Sequence, residues 1–141
     1  MIIKQLSVFL EDKVGRLTEI TKILFENDIN MSAFCIAEAP DYGIVRMIVN
    51  KPELAVQKLK ENNIAVNLTD VVCLVVPDHP GGLYQVLQLL SDNQITIDYM
   101  YAFSVGQKAS VVIRSSSNDE VIKILQEKKI VLLKASDIYE L

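Results

Sequence analysis

Asp12-Lys13-Val14-Gly15-Arg16-Leu17 returns 66 residues later as Asp78-His79-Pro80-Gly81-Gly82-Leu83. Each copy follows an apolar run and opens a helical pattern. The same offset superposes Leu24 on Leu90, Asn27 on Asn93, Ile29 on Ile95, Val45 on Val111, Leu59 on Leu125 and Ile64 on Ile130, with no gap. A fixed period running through a chain is the signature of one structural unit written twice. Outward from the first copy, Leu6, Val8 and Leu10 alternate with Gln5, Ser7 and Phe9, the period of a half-buried strand. Leu17, Ile20, Ile23 and Leu24 then recur at helical spacing, and the helix stops near Asn27-Asp28.

A second strand is expected over 29–38, a turn at Ala39-Pro40-Asp41-Tyr42-Gly43, and a third strand over 44–49. A helix opened by Pro52 and a short strand over 64–68 complete the unit. The order strand, helix, strand, strand, helix, strand is the ferredoxin-like split unit. It repeats as strand 71–76, helix 82–90, strand 95–104, a turn at Val105-Gly106-Gln107, strand 109–114, helix 119–128 and strand 130–133. The fold class is therefore α+β: two βαββαβ units, 1–68 and 69–141, each an antiparallel sheet with helices on one face. Asn67-Leu68-Thr69-Asp70 is the expected link. By the same register Ile138-Tyr139-Glu140-Leu141 begins a third copy, either as a tail strand pairing with a sheet edge or as a frayed end.

Pairing Glu38 with Gly43 sets Ile36 opposite Val45 and Phe34 opposite Met47, and these join Leu6, Val8 and Leu10 beneath the helices. Transferred to the second unit, this register points Val71, Cys73, Val75, Tyr99, Tyr101, Phe103 and Val112 to the other face, with Arg114 beside them. That face is too apolar for water, and a second copy of the chain, a homodimer, is its simplest cover. An aromatic row such as Tyr99, Tyr101 and Phe103 also serves RNA-binding sheets as a stacking platform, but the glycine-aromatic pattern of that class is missing.

The 141 residues carry a net charge of −4. This argues against nucleic acid and against an anionic membrane surface, both of which attract Lys and Arg. Cys35 and Cys73 lack the paired spacing of a zinc or redox motif and read as small residues in strands, so no metal and no cofactor is expected. No apolar run approaches the length that spans a bilayer, and the N-terminus becomes polar too soon for a signal peptide; a cytoplasmic location is expected. His79 is the sole histidine. No Ser, Cys or second carboxylate is placed to form a triad with it, so no catalytic residue and no enzyme activity is expected.

A turn that delivers a strand into a helix exposes the first backbone N–H groups of that helix, which bind a carboxylate or phosphate. Gly15 and Gly81 allow backbone to approach a ligand. Asp12 or Asp78 either caps its helix or faces a ligand ammonium. Leu17 and Leu83 anchor the first helical turn in the core.

With these turns in the same place in two split units, the chain resembles a tandem pair of ACT domains, amino-acid-binding regulatory modules attached to enzymes of amino-acid metabolism. The segments that carry the resemblance are 6–17 with Asn27-Asp28-Ile29-Asn30-Met31, and 74–83 with Asn93-Gln94-Ile95-Thr96-Ile97. It implies ligand sites at domain–domain interfaces, where the turn of one domain faces the second strand of another: one at Asp12, Lys13, Val14, Gly15, Arg16 and Leu17 with Asn30, and another at Asp78, His79, Pro80, Gly81, Gly82 and Leu83 with Thr96. The first copy has Val14 where that family commonly has Pro, and the second has Thr96 where it commonly has Asn. The implied role is that of an amino-acid sensor that breaks no bond and regulates a partner enzyme in trans by shifting a population of domain arrangements. The alternative is a ligand-free dimerisation or assembly module for a metabolic enzyme complex.

Overall fold

A computed structural model of the chain describes residues 1–105 and 108–139. The described chain is α+β. Its strands are β1 (Ile2–Glu11), β2 (Met31–Ala39), β3 (Tyr42–Val49), β4 (Val66–Val76), β5 (Tyr99–Val105) and β6 (Lys108–Arg114). The helices are α1 (Arg16–Glu26), α2 (Pro52–Glu61), α3 (Gly82–Asp92), α4 (Asn118–Glu127) and α5 (Ala135–Tyr139). They form two compact units. The first comprises Lys4–Thr69 with the chain from Ser136 on, and the second Met1–Ile3 with Asp70–Ala135.

In the first unit the strands run β2-β3-β1, all neighbours antiparallel. The register is the expected one, with Glu38 opposite Gly43, Ile36 opposite Val45 and Phe34 opposite Met47. Leu6, Val8, Val45 and Met47 join Ile20, Ile23 and Leu24 of α1 and Ala55 and Leu59 of α2 in one buried cluster. Phe34 and Ile36 do not join it: they remain 56% and 50% exposed. β2 is the outermost strand in this order, and the helices cover its neighbours instead.

The second unit repeats the plan as β4-β6-β5, with Val72, Leu74, Val76, Val111 and Ile113 packed on Val86 and Leu90 of α3 and on Val121 and Leu125 of α4. The expected strand over 130–133 is reduced to one bridge, Leu74 opposite Leu132, flanked by N–H to O bonds from Val75 to Val131 and from Leu133 to Cys73, each 2.9 Å.

Four further expectations are corrected. β2 and β5 begin later than the apolar pattern suggested, because Ile29 and Ile95 complete the preceding helices: their N–H groups donate to Leu24 and Leu90 O at 2.9 and 3.0 Å. The left-handed residues Asp28 (φ 54°) and Gln94 (φ 57°) make those closures. The expected link 67–70 lies inside β4, which runs unbroken from Val66 to Val76. Ile138 and Tyr139 of the tail lie in a helix rather than a strand, and Glu140 and Leu141 lie outside the described residues: α5 buries Ile138, whose carbonyl accepts the Ser32 hydroxyl at 3.3 Å. Of the turn at 105–107, Gly106 and Gln107 lie outside the described residues, and Val105 and Lys108 are paired.

Candidate ligand site at the two glycine turns

Both turns use the same backbone device. Gly15 (φ 87°) and Gly81 (φ 91°) sit in left-handed conformation at the N-caps of α1 and α3. A left-handed residue reverses the chain between strand and helix, and glycine does this without a Cβ penalty. No side chain caps either helix, so neither Asp12 nor Asp78 is a helix cap. Among the described residues no acceptor takes the N–H of Leu17 and Thr18 or of Leu83 and Tyr84, the orphan donors of the first turns.

The side chains around the two turns differ. Arg16 donates to Glu11 at 2.9 Å and to Glu19 at 2.8 Å, and Lys13 lies 3.2 Å from Glu11. Hydrogen bonds from Arg16 and then Lys13 hold the Glu11 carboxyl below the ordinary carboxylate value, and Glu11 with Glu19 pushes the Arg16 guanidinium up. Val14 is fully exposed and Leu17 half-buried against the core. Asp12, Lys13, Gly15 and Leu17 line a recess of about 510 Å³, completed by Ile36, Glu38 and Tyr42.

In the second turn Asp78, His79, Pro80, Gly81 and Leu83 are exposed and Gly82 is buried, so Leu83 does not anchor its helix in the core as expected. His79 Nδ1 lies 3.1 Å from the Pro80 carbonyl oxygen. A Cβ on Gly82 would stand 2.2 Å from the Pro77 carbonyl oxygen, so this glycine lets the turn close on the end of β4. Asp78, His79 and Gly82 line a recess of about 660 Å³ whose walls include Val75, Val86 and Val131, with Lys108 and Lys129 also on its lining.

Asn30 and Thr96 are not brought to these turns. Glu11 and Ala39 both stand opposite Tyr42, whereas Met31 stands opposite Val49, so Asn30 is at the other end of its sheet. There it exchanges hydrogen bonds with Asn50: its N–H donates to Asn50 Oδ1 at 2.9 Å, and its carbonyl accepts the Asn50 N–H at 3.1 Å. Thr96 precedes β5, whose Tyr99 pairs with Arg114, while Val76 at the turn pairs with Ala109.

Polar and turn residues on these linings that the sequence did not single out as site residues include Glu11, Thr18, Glu38, Pro40 and Tyr42 at the first turn, and Gln85, Lys108 and Lys129 at the second. The pairing of β1 with β3, Glu11 opposite Tyr42, brings the 39–42 turn beside the end of β1.

On the face opposite the helices, Val71, Cys73 and Val112 are fully buried within the chain. Tyr99, Tyr101, Phe103 and Arg114 are half-buried, and Arg114 donates to the Asp70 carbonyl at 2.9 Å. Burial pushes the Cys73 thiol up to about 12, which keeps it protonated. Among the described residues no group of three His, Cys, Asp or Glu is placed to hold a metal ion. No helix among them is long and apolar enough to cross a membrane.

A family model described as an ACT domain pair matches residues 1–141. The chain belongs to the ACT domain pair family. A solved structure of a protein from Bacteroides thetaiotaomicron is 52% identical, with a TM-score of 0.95 over 100% of this chain and 98% of that one. The ligand-free regulatory subunit of aspartate kinase from Thermus thermophilus shares the fold at 14% identity, with a TM-score of 0.64 over 89% and 93% of the two chains. The corresponding subunit from Thermus flavus does so at 12% identity, with a TM-score of 0.58 over 89% and 92%. A search of curated proteins gave no match. As an ACT domain pair the chain is of a regulatory domain type.

Proposed function

We propose that this ACT domain pair is a non-catalytic regulatory protein that binds an amino acid at the turns after β1 and within 77–83, and that it acts in trans on an enzyme of amino-acid metabolism. The observation that carries the proposal is the pair of uncapped helix N-termini behind Gly15 and Gly81, with open N–H donors beside recesses of ligand size. The ligand carboxylate takes the N–H groups of Leu17 and Thr18, or of Leu83 and Tyr84. Asp12 or Asp78, free of any capping role, takes the ammonium. Because Asn30 and Thr96 lie at the far ends of their own sheets, they contribute only where the turn of one module meets the second strand of another. A homodimer supplies such meetings, and the ligand then favours one arrangement of its copies. The working location is the cytoplasm.

Calorimetric titration with each of the twenty amino acids tests this reading. One amino acid or a few related ones are expected to bind with a dissociation constant of about 1 mM or below. If none binds while the chain still associates with an enzyme of amino-acid metabolism, the protein is an assembly module.

A further inference from the structure

We infer that the hollow beside α3 is a second-repeat binding site for a small carboxylate with an apolar body, and that Arg16 fills the matching hollow in the first repeat. The inference rests on the reading above that the second turn binds a ligand.

The offset of 66 residues carries it. In the first unit a small hollow of about 80 Å³ is lined by Phe9, Leu10, Glu11, Arg16, Ile20 and the segment 63–65. Each of those eight positions has its counterpart on the lining of the second-unit hollow, which holds about 660 Å³. The wall is the same and the contents differ. In the first repeat the Arg16 side chain lies along it, held by Glu11 and Glu19. In the second repeat these three positions are Gly82, Pro77 and Gln85, which supply neither a plug nor a carboxylate to hold one.

The charge changes as well: the first hollow sets Glu11 against Arg16, and the larger one sets two lysines against Asp78. Asn63 is replaced by Lys129, Tyr42 by Lys108 and Lys13 by His79, all three on the lining of the larger hollow, where Asp78 is the one acidic group. Neither lysine has an ion pair among the described residues. Aliphatic walls with unpaired ammonium groups suit a carboxylate carrying an apolar chain, and the volume lies in the range of small-ligand pockets. An aliphatic amino acid and the corresponding 2-oxo acid share this chemistry.

The test is a nitrogen-15 NMR titration of the full chain with 4-methylpentanoate, its neutral amide, L-leucine and 4-methyl-2-oxopentanoate. The carboxylates are expected to shift the amide signals of Val75, Val86 and Val131, with the neutral amide about tenfold weaker. Lys108→Tyr with Lys129→Asn, which installs the first-repeat residues, should remove that preference, and Val131→Trp should abolish binding while distant signals stay in place. Whichever of leucine and the oxo acid binds tighter names the source. Equal binding of acid and amide, or no shift of these signals at roughly 10 mM, overturns the inference. Leucine shifts confined to 12–17 and 78–83 and indifferent to Val131→Trp would overturn it while leaving the amino-acid sensor standing. Without shifts in either place the inference falls, and the amino-acid sensor is decided by the calorimetric titration with all twenty amino acids.

Discussion

At Arg16 the first turn holds a guanidinium between two carboxylates at 2.9 and 2.8 Å, whereas at Gly82, the matching place in the second turn, there is no side chain at all. The N-cap glycines are nearly superposable, at φ 87° and 91°. The repeat has thus kept the backbone that exposes N–H donors and changed the chemistry around it. Ion pairs as exposed as those of Arg16 contribute little to stability. Their consequence lies in occupancy: the first turn satisfies its own charges, and the second leaves its lysines to a ligand.

The largest effect that would sharpen this contrast is that of Gly82→Ala. The new Cβ meets a backbone oxygen at 2.2 Å that cannot rotate away, and a loss of about 3 kcal/mol is expected in urea denaturation. Arg16→Ala at the matching position should change the midpoint little. Equal effects would mean that the two turns do not differ as described. Next come Gly15→Ala and Gly81→Ala. Nothing lies within 4 Å of either added Cβ, so each costs only its backbone strain, about 1 kcal/mol. A large disparity between these two would break the claim of a shared backbone.

The smallest effect concerns acid. Because Arg16 and Lys13 hold the folded Glu11 carboxyl below its ordinary value of 4.5, the unfolded chain takes up this proton first. The stabilisation is therefore fully present above pH 4.5 and is lost as pH falls through the lowered folded value. Denaturation at a series of pH values should show wild type losing more stability in this window than Glu11→Gln. Pro77 gives the second turn no counterpart.

The fold was legible because its signals are local. Alternation over 5–10, helical spacing from Leu17 and the 66-residue offset fix element type and order, and the hairpin residues fixed the register from Glu38 to Gly43. What was not legible depended on neighbours distant in sequence. Phe34 and Ile36 carry the pattern of core residues, but coverage by helices decides burial, and the outer strand is left uncovered. Ile138 and Tyr139 matched the start of a third strand in register, but they belong to α5, where Ile138 is buried. At the site, the motif named the turns correctly as N–H donors. The side chains that set their charge, Glu11, Lys108 and Lys129, lie outside it and enter through strand pairing and the helix exit at 129. Lys129 adopts φ 58° where Asn63 has φ 60°, so a residue that reads as a solvated helix end also lines the hollow.

The most direct test of the regulatory reading is a thermal-shift screen of the purified chain against the twenty amino acids, run in parallel on folded Gly15→Ala and Gly81→Ala variants. A ligand at a hundred times its dissociation constant stabilises the native state by about 2.7 kcal/mol, a shift of several degrees. The account predicts that one amino acid or a small related group raises the melting temperature and that Gly81→Ala loses the response. A chain whose melting temperature no amino acid moves, or one in which both glycine variants respond as fully as wild type, would contradict it.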